Sequence, residues 1–257
     1  MGAALVRCQT CAVGERAPGG RTGSWWSATA DLLLGASCPG CGQPWWGACP
    51  ACRAHVLAQP TRLTAPTPAP PGFPLTATAS DYDIVHRGLL HAHKDDQALM
   101  LTALLGDRLA ASVAELLAFR AVPDQEQIVL VPMPSAAAAV RERGFDATAA
   151  LAGRAARTLA GQRPVRTAGL LAQRRGLADQ ADLDAAQRAA NLRGGLRLRS
   201  GVDSLRCRPD GAAVVIVDDL VTTGASLTEA VRCLGAAGYE VLGAATVSAT
   251  VRMLSGY

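Results

Sequence analysis

The chain has 257 residues, a hydrophobic content of 49% and a formal net charge of +4, which together predict one ordinary α/β-sized domain plus a small module. Its 25 basic residues include a single lysine, Lys94, and they form no block interleaved with aromatic residues, so the charge pattern does not favour direct nucleic-acid binding. No stretch of about 20 predominantly apolar residues is present, and the first residues lack a charged start followed by a long apolar run. We therefore expect no membrane span, no targeting segment and a cytoplasmic location.

Residues 1–30 show weak patterning and are predicted to be a flexible N-terminal extension. They contain one isolated C-x-x-C pair, Cys8 and Cys11, in a stretch rich in Gly, Arg and Thr. A metal role for this pair and an incidental presence of two cysteines are equally compatible with the sequence. No function is assigned to the extension.

Residues 31–57 contain two C-x-x-C pairs in the stretch CPGCGQPWWGACPAC. Cys38, Cys41, Cys49 and Cys52 supply four thiolates within one short segment, and each C-x-x-C turn lets both of its sulfurs face one ion. Redox pairs and disulfides are disfavoured by the doubled motif and by the absence of an export signal. The segment is predicted to be a zinc-binding module, and four protein ligands leave no position for water, which indicates a structural site.

Residues 58–80 carry six prolines, which indicate a Pro-rich linker without regular structure (Pro60, Pro66, Pro68, Pro70, Pro71 and Pro74). The remaining residues, 81–257, are predicted to form the main domain. Residues 83–119 show a helical pattern interrupted near Lys94, and no metal geometry is evident for His86, His91 and His93.

From residue 128 onward the pattern alternates between strands and helices, which is typical of an open parallel α/β sheet flanked by helices. The predicted strands are Ile128–Val131, Val165–Leu171, Leu196–Arg199, Val214–Val217 and Glu240–Ser248. The predicted helices are a short one ending near Arg141 and Arg143, then Ala147–Leu159, Leu183–Leu192, and one that follows Ser226.

The stretch from Ala213 to Val231, AVVIVDDLVTTGASLTEAV, gives the main indication of a ligand site. A run of β-branched residues leads into Asp218 and Asp219, and a loop of small residues then opens a helix (Thr222, Thr223, Gly224, Ala225 and Ser226). Free backbone N–H groups at a helix start favour an anion, and small residues let a phosphate approach closely. Two carboxylates would repel that phosphate but accept hydrogen bonds from a sugar diol. The stretch therefore predicts a ligand that carries a phosphate and a ribose.

This stretch resembles the motif by which type I phosphoribosyltransferases bind 5-phosphoribosyl 1-pyrophosphate (PRPP). The resemblance implies that Asp218 and Asp219 hold the ribose hydroxyls and serve as catalytic residues, and that Thr222 through Ser226 bind the 5′-phosphate. It also implies Mg²⁺ as a cofactor that accompanies PRPP.

The order of the motifs over about residues 36–250 resembles the ComF family, also called GntX-type or amidophosphoribosyltransferase-like. The motifs are the double C-x-x-C module, Lys94, V-P-M-P-S, R-E-R-G-F, the block from Gln180 to Asn191, and the PRPP motif. This resemblance implies nine residues near the pyrophosphate or the acceptor (Lys94, Pro134, Ser135, Arg141, Arg143, Arg175, Gln180, Arg188 and Asn191). One departure is Asp146-Ala147, where the family commonly has Asn-Gln after R-G-F.

Three functions remain open from the sequence. The first is a phosphoribosyltransferase that transfers phosphoribose from PRPP to an unidentified acceptor. The second is a protein that binds PRPP or a nucleotide without turnover. The third is a DNA-uptake accessory protein with competence proteins as partners, as the ComF resemblance implies for some bacteria.

Overall fold

The computed structural model describes residues 37–174, 194–199 and 212–250. These residues fold into two compact units that interleave along the chain. The first unit contains residues 37–58 and 83–101, and the second contains residues 59–82 together with the described residues from 102 onward. The prediction that one domain starts at residue 81 therefore differs from this division, because residues 83–101 pack with the cysteine segment.

The first unit consists of the cysteine segment, two helices and a short 3-10 turn. Helix α1 spans Pro50–Ala58, helix α2 spans Ile84–Lys94, and the 3-10 turn spans Leu99–Leu101. Asp83 is the N-cap of α2, since its side chain accepts a hydrogen bond from the backbone N–H of His86 at 2.8 Å. Lys94 ends α2, in agreement with the break predicted there.

The second unit is built on a six-stranded sheet in the order β1-β2-β8-β7-β3-β4. The strands are β1 (Arg62–Thr64), β2 (Thr76–Thr78), β3 (Ile128–Pro132), β4 (Val165–Thr167), β7 (Ala213–Val221) and β8 (Val241–Ala249). Strand β1 runs antiparallel to β2, and the other neighbours are parallel. The predicted open α/β sheet flanked by helices is confirmed, and its strands are parallel as predicted except for β1.

The described residues of this unit also form the helices α3 (Thr102–Phe119), α4 (Ala137–Arg143), α5 (Ala147–Leu159) and α6 (Ala225–Ala236). Helices α3 and α5 pack against each other, α3 also against β8 and β2, and α5 against β3 and β4. Val214 and Ile216 of β7 share a buried cluster with Leu227 and Leu234 of α6. Because side chains alternate along a strand, the fully buried residues of β7 pack alternately against the helices on the two faces of the sheet.

A two-stranded antiparallel sheet stands apart from the main one and pairs β5 (Leu171–Gln173) with β6 (Leu196–Leu198). The prediction of a single strand over 165–171 is wrong, because Ala168–Leu170 separate β4 from β5. Buried Glu229 of α6 accepts a hydrogen bond from the backbone N–H of Gly194 at 2.8 Å, and this bond ties the base of the small sheet to α6.

The prediction that prolines bar regular structure from residues 58–80 is also wrong. Strands β1 and β2 lie in this segment, and β2 pairs with β8 in the main sheet. The prolines lie outside both strands, so no ladder hydrogen bond is lost.

Several predictions fall outside the described residues. These are the extension 1–30 with Cys8 and Cys11, the helix over 183–192, and the candidates Arg175, Gln180, Arg188 and Asn191. In the part of the chain that the structure describes, no helix is both long and apolar enough to cross a membrane.

Candidate ligand and metal sites

Asp218 and Asp219 lie near the carboxyl end of β7, at the edge of the sheet where the small-residue loop begins. Both are half-buried, and the carboxylate of Asp218 accepts a hydrogen bond from the backbone N–H of Asp219 at 2.9 Å. The strand is longer than predicted, because it continues through both acids to Val221. Strand β7, which pairs with β8 past this point, therefore carries the two carboxylates to the edge where open α/β sheets bind ligands.

The loop after β7 turns into α6 at Gly224. Thr222 and Thr223 are exposed, and Gly224 adopts a left-handed conformation with φ of +75°. Gly224 is the N-cap of α6, and no side chain caps the helix start. The first intrahelical bond runs from Thr228 N–H to the Gly224 carbonyl at 3.0 Å. The N–H groups of Ala225, Ser226 and Leu227 precede that bond, and such groups at a helix start favour an anion.

Sequence reasoning missed two residues that pack on this loop. A Cβ added at Gly224 would lie 2.5 Å from Cε2 of Phe73 and 3.0 Å from Cγ of Pro66. Both residues come from the segment predicted to be a linker. Nothing in the local sequence signals this contact, because Phe73 reaches the loop only after β2 has paired with β8.

The end of β3 brings a second predicted motif to the same edge of the sheet. Pro132 is in register with Val217 of the parallel strand β7, and Met133 N–H donates to the Val217 carbonyl at 2.9 Å. Pro134 and Ser135 follow directly, so they leave the sheet at the same edge as Asp218.

The side chains at this second position are engaged within the protein. The Ser135 hydroxyl donates to Asp146 at 3.0 Å, and Asp146 also accepts from Ala149 N–H as the N-cap of α5. The Pro134 carbonyl accepts from Gln173 at 3.0 Å, and Arg143 Nε donates to the Ala139 carbonyl of its own helix at 3.1 Å. The departure at Asp146 thus has a structural role, as a helix cap that also holds Ser135.

Two further candidates, Arg141 and Lys94, lie in the part of the chain that the structure describes. Arg141 is exposed on α4, the helix that follows Ser135. Lys94 belongs to the first unit, whereas Asp218, Asp219 and the loop of α6 belong to the second.

The four predicted metal ligands come together in the first unit. The Sγ atoms of Cys38, Cys41, Cys49 and Cys52 all lie within 4.8 Å of one another, and those of Cys41 and Cys49 are 3.6 Å apart. All four are free thiols. A tetrahedral ion with bonds of about 2.3 Å requires sulfurs about 3.8 Å apart, so the donor set fits zinc. Backbone N–H groups of Cys49 and Cys52 point at the sulfurs of Cys38 and Cys49, respectively.

The electrostatics of the cysteine cluster favour a bound cation. Burial and the neighbouring sulfurs raise the pKa of Cys52, and burial raises the pKa of Cys41 to about 11. Burial also acts to raise the pKa of Cys38, but backbone N–H groups led by that of Cys49 outweigh it and lower the value. A divalent ion would compensate the cost of holding several thiolates together, because metal binding displaces their protons.

A second cluster joins α1 to α2. His55 Nε2 lies 2.5 Å from one oxygen of Asp83, and Nδ1 of buried His86 lies 2.8 Å from the other. Burial acts to raise the pKa of Asp83, but hydrogen bonds from His86 and His55 outweigh it and hold the pKa well below its usual range. These short contacts fit a hydrogen-bonded triad. Sequence reasoning found no such grouping for His86, because His55 lies 28 residues before Asp83 and on a different helix.

Part of the second unit is similar to a known protein family. Residues 147–251 match the phosphoribosyl transferase domain. The match to this domain begins at α5 and contains both acids of β7, the loop at Gly224 and helix α6. The cysteine cluster and the segment over β3 precede the matched range. A comparison with curated proteins found no match to the chain.

Proposed function

We propose that the chain binds PRPP with Mg²⁺ and transfers its phosphoribosyl group to an acceptor that is not yet identified. The observation that carries this proposal is the sequence of groups at the end of β7. Two carboxylates are followed by a left-handed glycine and an uncapped helix start, all within the range that matches the phosphoribosyl transferase domain. This arrangement suits a sugar diol beside a phosphate.

Each part of the site has its own chemical role in this proposal. Asp218 and Asp219 accept hydrogen bonds from the two ribose hydroxyls. The 5′-phosphate binds the N–H groups at the start of α6 and the hydroxyls of Thr222, Thr223 and Ser226. Mg²⁺ would enter with PRPP, would have few direct protein ligands, and would supply positive charge beside the phosphates.

Loss of pyrophosphate requires positive charge or donors near the leaving group. The described candidates are Pro134 and Ser135 at this edge of the sheet, together with Arg141 and Arg143 on α4. Arg175, Gln180, Arg188 and Asn191, together with Lys94, complete the set by resemblance to the ComF family. Arginine suits this task because its planar fork matches phosphate oxygens.

The ComF-type assignment of the whole chain is also part of the proposal. It joins a structural zinc site at Cys38, Cys41, Cys49 and Cys52 to the phosphoribosyl transferase domain. The geometry of the four sulfurs supports the zinc site, and the motif order supports the family. The competence partners that this family implies follow only from the resemblance.

Isothermal titration with PRPP and Mg²⁺ tests the ligand assignment. We expect binding to the wild type and at least about tenfold weaker binding to Asp218→Asn/Asp219→Asn, a loss of roughly 1.4 kcal/mol. The matched control is Asp124→Asn, because Asp124 is an exposed acid paired with Arg163. Equal affinity in the double variant and the wild type would remove the ribose assignment.

A second candidate function is PRPP or nucleotide binding without turnover. It is favoured by the internal hydrogen bonds of Ser135 and Arg143, which engage two of the proposed pyrophosphate contacts. Release of pyrophosphate from PRPP in the presence of nucleobases distinguishes the two functions. Binding without pyrophosphate release across such a panel would favour the second.

A further inference from the structure

The loop that joins β1 to β2 is fixed at both ends. Thr64 pairs with Thr76 where the two strands meet the loop. The buried guanidinium of Arg108 on α3 donates to the carbonyls of Gln59 and Ala79, which flank the two strands. Residues 65–75, here called the β1–β2 loop, therefore extend from an anchored base.

The far part of this loop lies against the first turn of α6. Phe73 and Pro66 contact Gly224, and a Cβ added at Gly72 would lie 3.8 Å from Cγ2 of Thr228. A turn orders the backbone that carries this ring, because Phe73 N–H donates to the Pro70 carbonyl at 3.0 Å. Phe73 is partly buried against the cluster that contains Leu227.

The conformation of Gly224 controls where the N–H groups after it point. Glycine adopts positive and negative φ with similar ease, so an isolated Gly224 would not remain left-handed by its own preference. With a ring at van der Waals contact on one side and Pro66 beside it, the alternatives are sterically restricted. The packed loop thus orders the helix start before any ligand arrives, which lowers the entropic cost of binding.

We propose that Phe73 is a positioning residue of the phosphate site: it holds Gly224 left-handed so that the N–H groups starting α6 converge on the phosphomonoester of a ribose 5-phosphate. This inference rests on the proposed function. It predicts that Phe73 affects ligands with a 5′-phosphate and not pyrophosphate, which lacks that group.

The test measures the affinities of PRPP, ribose 5-phosphate and pyrophosphate, each with Mg²⁺, by titration calorimetry. Phe73→Ala is expected to weaken PRPP and ribose 5-phosphate by the same factor, about tenfold, with pyrophosphate unchanged. Phe73→Tyr keeps the ring and is expected to retain both affinities. Phe119→Ala is the matched control, since Phe119 is an exposed aromatic residue of the same unit, with 62% of its surface accessible.

A second measurement tests the contact itself and does not depend on ligand. Gly224→Ala places a methyl group against the Phe73 ring, so it is expected to lower the melting temperature. The added loss should be smaller in a Phe73→Ala background, because the ring that meets the methyl group is gone. Additive effects of the two substitutions would overturn the proposed contact.

The outcomes separate the inference from the function on which it rests. Absence of PRPP binding by the wild type would refute the proposed function. Wild-type binding combined with unchanged ribose 5-phosphate affinity in Phe73→Ala would overturn the inference and leave the function standing. Equal weakening of pyrophosphate and ribose 5-phosphate would also overturn it, because it would show a general structural effect.

Discussion

Asp83 is the residue whose charge contributes most clearly to the first unit. Its folded-state pKa lies below the unfolded value, because His86 and His55 donate to the carboxylate. The stabilisation is therefore fully present above the unfolded pKa of about 4 and is lost as the pH falls below it. Asp83→Asn keeps an N-cap acceptor but removes the charge, so we expect it to lower the free energy of unfolding by about 2 kcal/mol at neutral pH.

Urea unfolding of the wild type and Asp83→Asn between pH 7 and pH 3 measures this effect. The difference between the two proteins should shrink as the pH falls, even though acid also weakens metal binding in both. Asp96→Asn serves as the control, because Asp96 is an acid of the same unit with 68% of its side chain exposed. A difference that stays constant with pH would contradict the assignment of the low pKa.

Helix α2 approaches the cysteine segment closely at Gly88. A Cβ at Gly88 would lie 1.9 Å from the Pro39 carbonyl oxygen, inside the turn that carries Cys38 and Cys41. Gly88→Ala should therefore destabilise the first unit by about 3 kcal/mol and reduce zinc retention, although alanine normally favours a helix. Gly235→Ala in α6 meets no atom within 4 Å and should stabilise by about 0.5–1 kcal/mol.

Chemical denaturation and zinc analysis of these two glycine variants provide the comparison. Equal stability and zinc content in Gly88→Ala and the wild type would mean that α2 does not lie against the cysteine turn in solution.

Removal of the metal tests whether the first unit depends on zinc for its stability. The first unit is small, and units of this size usually need a metal, disulfides or a partner to fold. We expect about one zinc ion per chain, and loss of one cooperative unfolding transition after treatment with a strong chelator. PRPP binding should persist once the chelator is removed and Mg²⁺ is restored, since Asp218 through Ser226 all belong to the second unit.

Two cysteine variants check that assignment. Cys49→Ser should lower the zinc content, whereas Cys233→Ser should preserve it, because buried Cys233 lies on α6 outside the cluster. Full zinc content in Cys49→Ser, or an unaltered melting profile after chelation, would contradict a structural role for the metal.

The parts of the molecule that could be predicted are those with a strong local signal. Val214–Val217 form a buried strand because β-branched residues follow one another there, and the acids and glycine after it are read directly from the motif. The cysteine spacing likewise predicted a cluster that the structure confirms.

The parts that could not be predicted depend on partners distant in the sequence. Strands β1 and β2 have three residues each and stand among prolines, so only pairing with β8 reveals them. The contact of Phe73 with Gly224 follows from that pairing. The grouping of His55 with Asp83 and His86 likewise requires that residues 83–101 return to the first unit.

The position of β2 beside β8 has a consequence during protein synthesis. The hydroxyl of Ser80, just after β2, lies 2.8 Å from that of Ser248 at the end of β8, and the two residues are 168 positions apart. At ribosomal rates of about 5–20 residues per second, the early strand waits roughly 10–30 s for its neighbour. The edge of β2 that faces β8 therefore has no partner for that interval, and an unpaired strand edge is a site at which other chains can pair.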